Sequence, residues 1–170
     1  LEAVALDAPL VLDADALTIL AADESVRDAV RARTAVTLLT PHAGEFARLR
    51  AGSGHDPDED GDLNGDDEAR VRAASAAATE WNQVVVLKGA HTVIAAPGGS
   101  AVMAPFENPA MASGGTGDVL AGTIGALLAA AGFDRIDALT AHRRALGDKV
   151  ARTHTLIQTI DLTIARLKGE

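Results

Sequence analysis

Three glycines set around a threonine run straight into an apolar helical pattern at Ser113-Gly114-Gly115-Thr116-Gly117-Asp118-Val119. Glycines let the backbone turn tightly and approach a ligand. N–H groups exposed at a helix start, reinforced by the helix dipole, favour an anion. One reading is a phosphate held on Gly114, Gly115, Thr116 and Gly117. The other is an N-capping aspartate behind a glycine turn, which accounts for one acid and one glycine but not for three glycines and a threonine. A carboxylate beside a phosphate is electrostatically awkward unless it serves as a base or works with a metal ion, which makes Asp118 the candidate for catalysis.

Three further clusters have chemistry-bearing residues at a strand end. In Thr40-Pro41-His42-Ala43-Gly44-Glu45-Phe46, His42 and Glu45 sit three apart on a strand-to-helix turn and can face one cleft. The plainer alternative makes Glu45 a first-turn acid favoured by the helix dipole and His42 a loop residue. In Leu87-Lys88-Gly89-Ala90-His91-Thr92, a lysine at the end of an apolar strand can reach a phosphate or a nucleotide, or can snorkel out of the sheet edge. In Leu12-Asp13-Ala14-Asp15-Ala16-Leu17, two acids at a strand end can help hold magnesium, order the loop, or cap a helix.

These motifs need a scaffold that brings strand ends together, and the pattern supplies one. Strands are expected at 10–13, 35–40 and 84–87, with a hairpin of 92–96 and 101–104 around Pro97-Gly98-Gly99-Ser100. Helices are expected after Asp13 through about Leu20, and at 45–50, 67–81, 119–131, 136–152 and 157–167. The helix at 119–131 is hydrophobic nearly all round and should be buried. This alternation predicts an α/β fold, a mainly parallel sheet with helices on both faces, and ligands at the carboxyl ends of the strands.

Bulk properties narrow the function classes. The chain has 170 residues, 48% hydrophobic and 23% charged, enough for one soluble domain. With aromatics at 2%, the core must be aliphatic. A net charge of -9 argues against nucleic acid or an anionic membrane as partner. The absence of cysteine excludes disulfides and thiolate metal sites. No apolar run approaches the roughly 20 residues of a membrane helix. A cytoplasmic protein is therefore expected.

The segment 51–66 is almost devoid of apolar side chains and reads as an exposed acidic loop. Asp56, Asp58, Asp60 and Gly61 fit the opening of a calcium loop with Asp67 at its twelfth position, and Asp60, Asp62, Asn64 and Gly65 fit a second register. The alternative is a solvated insertion kept extended by like charges.

The stretches DADAL, LTPHAGEFARL, VVLKGAHTVIA and NPAMASGGTGDVLAGTIGALLAAAG, in this order between Val11 and Gly132, together resemble the NAD(P)H-hydrate dehydratases. HRRALGD at 142–148 is similar to the family's next helix, and PHAGE stands where the family usually has PHPGE. The resemblance implies a ribokinase-like three-layer α/β/α sandwich. It implies an ADP- or ATP-dependent enzyme, working with Mg2+, that returns hydrated nicotinamide cofactors, NAD(P)HX, to NAD(P)H by phosphorylating the ring hydroxyl and losing phosphate. Asp118 would be the base and a substrate contact, and His42 a second substrate contact. Lys88, Gly89, Ala90, His91, Thr92, Asn108 and Gly117 would line the adenine nucleotide. Mg2+ would be held mainly through the nucleotide, with Glu45 the candidate protein ligand. Residues 1–170 read as the carboxyl-terminal part of one such domain, because its first residues look like a domain interior and the family's amino-terminal strands and glycine-rich turn have no counterpart. A homo-oligomer, with a tetramer as one form, is implied as well, and the shortened sheet edge would favour association through unpaired strands. A ribokinase-like kinase for a thiamine precursor, or a nucleotide-binding remnant without catalysis, are the alternatives.

Overall fold

Val84–Leu87, four consecutive apolar residues, forms the strand around which the sheet is built. The computed structural model describes residues 2–56, 58–105, 114–130 and 168. Strands β1 (Leu10–Leu12), β2 (Thr37–Leu39), β3 (Val84–Leu87), β4 (Val93–Ala95) and β5 (Ala101–Met103) lie side by side in sequence order. β1 pairs parallel with β2 (Leu10 opposite Thr37) and β2 with β3 (Leu38 opposite Val84). β4 then pairs antiparallel with β3, as β5 does with β4, which gives the expected hairpin and makes the sheet mixed. The carboxyl ends of the three parallel-paired strands share one edge. Asp13, the Thr40–His42 turn and Lys88 follow directly.

Helix α4 (Asp67–Trp81) buries Ala69, Ala73, Ala74, Ala77, Ala78 and Trp81. Those spacings put small side chains on one face, which lets the helix approach β3 and β4 closely. Asp66 caps its start, accepting from the Glu68 and Ala69 N–H groups, and Asn82 ends it in the left-handed region (φ 52°). Phe46 and Trp81 meet at 6.1 Å in a tilted arrangement inside a core otherwise made of Leu, Val and Ala.

Several elements depart from expectation. The first helix, α1 (Asp15–Ala22), runs close to its expected bounds, and a second, unexpected helix α2 (Glu24–Arg31) follows it, because Asp23 turns extended and caps α2 through the Ser25 and Val26 N–H groups. The Ser25 hydroxyl and these N–H bonds hold the Asp23 carboxyl below its usual pKa. The cap is therefore complete above the ordinary carboxylate range and is lost as pH falls through the lowered value. Helix α3 (Ala43–Gly52) begins two residues early, capped by His42. Helix α5 (Thr116–Ala129) takes Gly117 and Asp118 into its first turn, and none of its residues is buried. It lies against strand β1, and Val119 is 39% exposed. The first residues form a 3-10 turn (Glu2–Ala5), tied down by Arg33, whose guanidinium donates to the carbonyls of Val4, Leu6 and Ala8. The chain divides into units Leu1–Ala129 and Ala130–Glu170, and all these elements belong to the first. The helices expected at 136–152 and 157–167, and the HRRALGD stretch, lie outside the described residues.

The acidic segment is folded onto the protein rather than extended. Arg50 is 5% exposed and bonds Asp60 at 3.1 Å and Glu80 at 2.6 Å. Glu80 also takes Arg31 at 2.8 Å, and His55 approaches it at 3.6 Å. Asp60 is thereby committed to Arg50 and Asp67 to His91. Among the described residues no group of three His, Asp or Glu side chains gathers for a metal, so neither calcium register is assembled.

Gly52 closes α3 against α1. A Cβ there would lie 2.2 Å from the Ala21 carbonyl oxygen, which is backbone and cannot swing aside. Gly52→Ala is expected to lower the unfolding free energy by about 2 kcal/mol or more. Thermal or urea unfolding measures this, and an unchanged midpoint would show that α1 and α3 separate freely.

Candidate active site at the strand ends

Lys88 is the hub at this edge. Its N–H donates to the Pro41 carbonyl at 2.8 Å and it bridges His42 in parallel fashion, so the β2 and β3 extensions stay zipped past the strands. Its Nζ donates to Asp13 Oδ1 at 2.8 Å and lies 3.8 Å from Glu45 Oε2. The side chains are largely enclosed, at 20%, 14% and 11% exposure for Lys88, Asp13 and Glu45. Lys88 therefore turns inward to two carboxylates and does not snorkel from an edge, β3 being the central strand. Ala14, next to Asp13, holds φ 50° and ψ -117°, a conformation that costs an alanine about 1–3 kcal/mol. That kink lies where the chain leaves β1, immediately after the residue that pairs with Lys88.

Glu45 and His42 form a reciprocal cap on α3. The His42 N–H donates to Glu45 Oε2 at 2.8 Å, while His42 Nδ1 accepts from the Gly44 and Glu45 N–H groups at 3.0 and 3.2 Å. Two N–H donors at Nδ1 leave the neutral ring's proton on Nε2. The ring is 56% exposed, and its Nε2 lies 3.6 Å from Glu45 Oε1. Glu45 is thus the first-turn acid of the plainer reading, and His42 is a cap that uses Nδ1 and turns Nε2 toward the same carboxylate. Glu45's carboxylate is occupied by the cap and Lys88.

The glycine turn arrives from the other side. Gly115 has φ 83°, open to glycine at little cost, and its carbonyl accepts the Val119 N–H at 3.2 Å as α5 starts. A Cβ on Gly117 would lie 3.6 Å from both Lys88 Nζ and Asp13 Oδ2. The first turn of α5 therefore sits directly on the Lys88–Asp13 pair. Gly114, Gly115 and Asp118 are exposed. The four sequence clusters meet here, and Asp13, read as one strand-end acid of two, is the one that pairs with Lys88. Two surface concavities of about 620 and 680 Å3 lie elsewhere, beside Val4–Arg33 and beside Arg50–Glu80, and include none of these residues.

A family model for NAD(P)H-hydrate dehydratase matches residues 2–166. The chain belongs to the NAD(P)H-hydrate dehydratase family. Its mixed sheet, parallel from β1 to β3 and joined by helices, is of the expected α/β class. The bifunctional NAD(P)H-hydrate repair enzyme Nnr of Salinibacter ruber is 45% identical over 123 residues, 72% of this chain and 20% of that protein. Nnr of Gloeobacter violaceus is 40% identical over 158 residues, 92% of this chain and 28% of its own length. The chain thus spans less than a third of these curated relatives. Among solved structures, the ADP/ATP-dependent NAD(P)H-hydrate dehydratase of Bacillus subtilis co-crystallised with ATP/Mg2+ is 38% identical with a TM-score of 0.57, covering 74% of this chain and 39% of that one.

Within this family member, the loop after β3 is held by a residue that sequence reading passed over. Arg70, in the first turn of α4, is 4% exposed. It donates to the carbonyls of Leu87 (3.0 Å), Lys88 (3.2 Å) and His91 (3.1 Å), and to that of Leu63. Burial holds its pKa below the usual arginine value. A Cβ on Gly89 would lie 2.4 Å from the Arg70 guanidinium, so glycine is needed there for close approach. His91 Nδ1 meets Asp67 at 2.8 Å, the Thr92 hydroxyl donates to the Gly89 carbonyl at 3.3 Å, and Ala90 is exposed at the tip. Thr116 opens α5. Asn108 and Ser113 lie outside the described residues.

Proposed function

We propose that this chain carries the nucleotide and base side of a catalytic site for ADP- or ATP-dependent dehydration of (6S)-NAD(P)HX to NAD(P)H. The observation that carries this reading is the convergence of Asp13, Glu45 and the first turn of α5 on Lys88. One cation between two carboxylates is a poor site for a bare polyphosphate. It suits a nucleotide that arrives with Mg2+, which typically keeps one or two protein carboxylates and the substrate phosphates as ligands. Asp13 and Glu45 would reach it by giving up their contacts with Lys88, and the ion would offset phosphate charge.

Asp118 takes the proton from the ring hydroxyl as that oxygen attacks the terminal phosphoryl group, and the bond to ADP (from ATP) or AMP (from ADP) breaks. Gly114, Gly115, Thr116 and Gly117 place N–H groups at the helix start to stabilise the transferred group. Lys88 can exchange Asp13 for a phosphate oxygen. The phosphate ester then leaves with its C–O bonding pair, the ring nitrogen's electrons assist, and a proton lost from the neighbouring carbon restores the dihydronicotinamide. His42 Nε2–H orients the hydrated cofactor, and Lys88 through Thr92 with Asn108 and Gly117 line the adenine nucleotide. Cytoplasmic location and a homo-oligomer, a tetramer among its forms, belong to the same reading. No described helix is long and apolar enough to cross a membrane.

The test supplies the chain with NADH hydrate, Mg2+ and either ADP or ATP, and follows the return of dihydronicotinamide absorbance. Nucleotide-dependent return is expected. Adenine nucleotide bound without any return would overturn the catalytic reading and leave a binding remnant. Phosphorylation of a small alcohol instead would make it a kinase.

A further inference from the structure

Buried guanidinium groups normally face carboxylates, and Arg70 faces carbonyls. Its hydrogen bonds reach carbonyls on both sides of the turn that leaves β3, those of Leu87 and Lys88 before it and that of His91 after it. In a trans peptide the N–H points opposite to the carbonyl of the same unit. Drawing the Leu87 carbonyl toward α4 therefore sends the Lys88 N–H away from it, and that N–H indeed bonds Pro41 on the β2 side at 2.8 Å. By the same geometry the Gly89 and Thr92 N–H groups point away from Arg70. The guanidinium packs so closely under Gly89 that a side chain there would collide with it. Three carbonyls neutralised from behind leave a loop with donors outward and a fixed cation beneath.

We infer that Arg70 is a positioning residue of the nucleotide site: it orients the peptide units around the turn after β3 so that the Gly89 and Thr92 N–H groups, with the Lys88 side chain, receive the adenine nucleotide. This rests on the proposed use of that loop for a nucleotide, not on the dehydration step. A second buried arginine supplies the control. Arg33 is 8% exposed and likewise holds carbonyls, those of Val4, Leu6 and Ala8, at the amino-terminal turn beside β2, away from the Lys88 cluster. Both arginines are structural in the ordinary sense, and Arg70 alone should govern nucleotide affinity.

The experiment compares the parent chain with Arg70→Lys, Arg70→Met and Arg33→Met, at a temperature where melting curves show all of them folded. Dissociation constants for ADP and ATP with Mg2+ are measured by calorimetry, and KM and kcat are determined wherever turnover is seen. Arg70→Met is expected to weaken nucleotide binding about tenfold or more, and to raise KM for nucleotide more than it lowers kcat. Arg70→Lys, which keeps one donor of the fork, should recover part of the affinity. Arg33→Met should lose stability and bind as the parent does. Equal affinity in parent and Arg70→Met overturns the inference, as does equal weakening by Arg33→Met. A parent chain that binds no adenine nucleotide also overturns it. Binding that depends on Arg70 without return of dihydronicotinamide absorbance supports it and refutes the catalytic reading instead.

Discussion

Asp118→Asn is expected to reduce turnover by about 10²- to 10⁴-fold, the range of a positioned general base, while leaving the melting temperature and nucleotide affinity close to the parent's. The expectation comes from its place in the fold. Asp118 is exposed in the first turn of α5, next to the glycine whose Cβ would touch both Lys88 and Asp13. It makes no ion pair among the described residues. Asparagine keeps its shape and much of its compatibility with a helix start, so what is removed is the capacity to take a proton. Initial rates with NADH hydrate and ATP, beside calorimetric binding of ATP, separate the two effects. A variant as fast as the parent would remove Asp118 from the chemistry. A variant that loses ATP binding and rate together would make it a binding residue.

Lys88→Met should act on binding and stability at once. Without the ammonium, Asp13 and Glu45 face each other in a largely enclosed space with no cation between them. Breaking a fully buried pair costs about 3–5 kcal/mol, and this partly open site should lose about 1–3. Nucleotide affinity should fall about 10- to 100-fold. Adding Asp13→Asn to Lys88→Met removes one of the stranded charges and should return part of the stability without returning affinity. Melting curves and ATP titrations of the parent, the single variants and the double variant decide the matter. Affinity regained by the double variant would mean that Lys88 serves only to neutralise Asp13.

The strongest sequence signals were those with one physical cause. Val84–Leu87 is a run of apolar residues that only a central strand can bury, and Asp67–Trp81 combines helix formers with an aspartate cap. Both elements have the expected bounds. Helix α2 was legible in principle, since Asp-Glu-Ser is a capping sequence, but the expected helix ended near Leu20 and nothing was assigned to the eight residues after Asp23. His42 as a cap was not legible, because caps are usually Ser, Thr, Asp or Asn. The apolar composition of α5 pointed to burial, yet composition does not say whether a partner surface lies on every side. For the site, motif spacing named Lys88, His42, Gly117 and Asp118 but could not show that Lys88 pairs with Asp13, 75 residues away. Arg70 gave no signal at all, being an arginine in an alanine-rich helix whose partners are main-chain carbonyls.

The cluster of Arg31, Arg50, Asp60 and Glu80 ties α2, α3 and the acidic segment to α4. Its worth changes with heat. Stripping water from charged groups becomes less costly as temperature rises, whereas the contribution of each unit of apolar area levels off. In a chain whose core is almost wholly aliphatic, these ions therefore carry a growing share of cohesion on warming. Glu80 lies near the end of the helix whose beginning carries Arg70. The hot protein should thus keep α4 seated, and with it the loop that α4 holds, after its more weakly anchored margins have begun to fray.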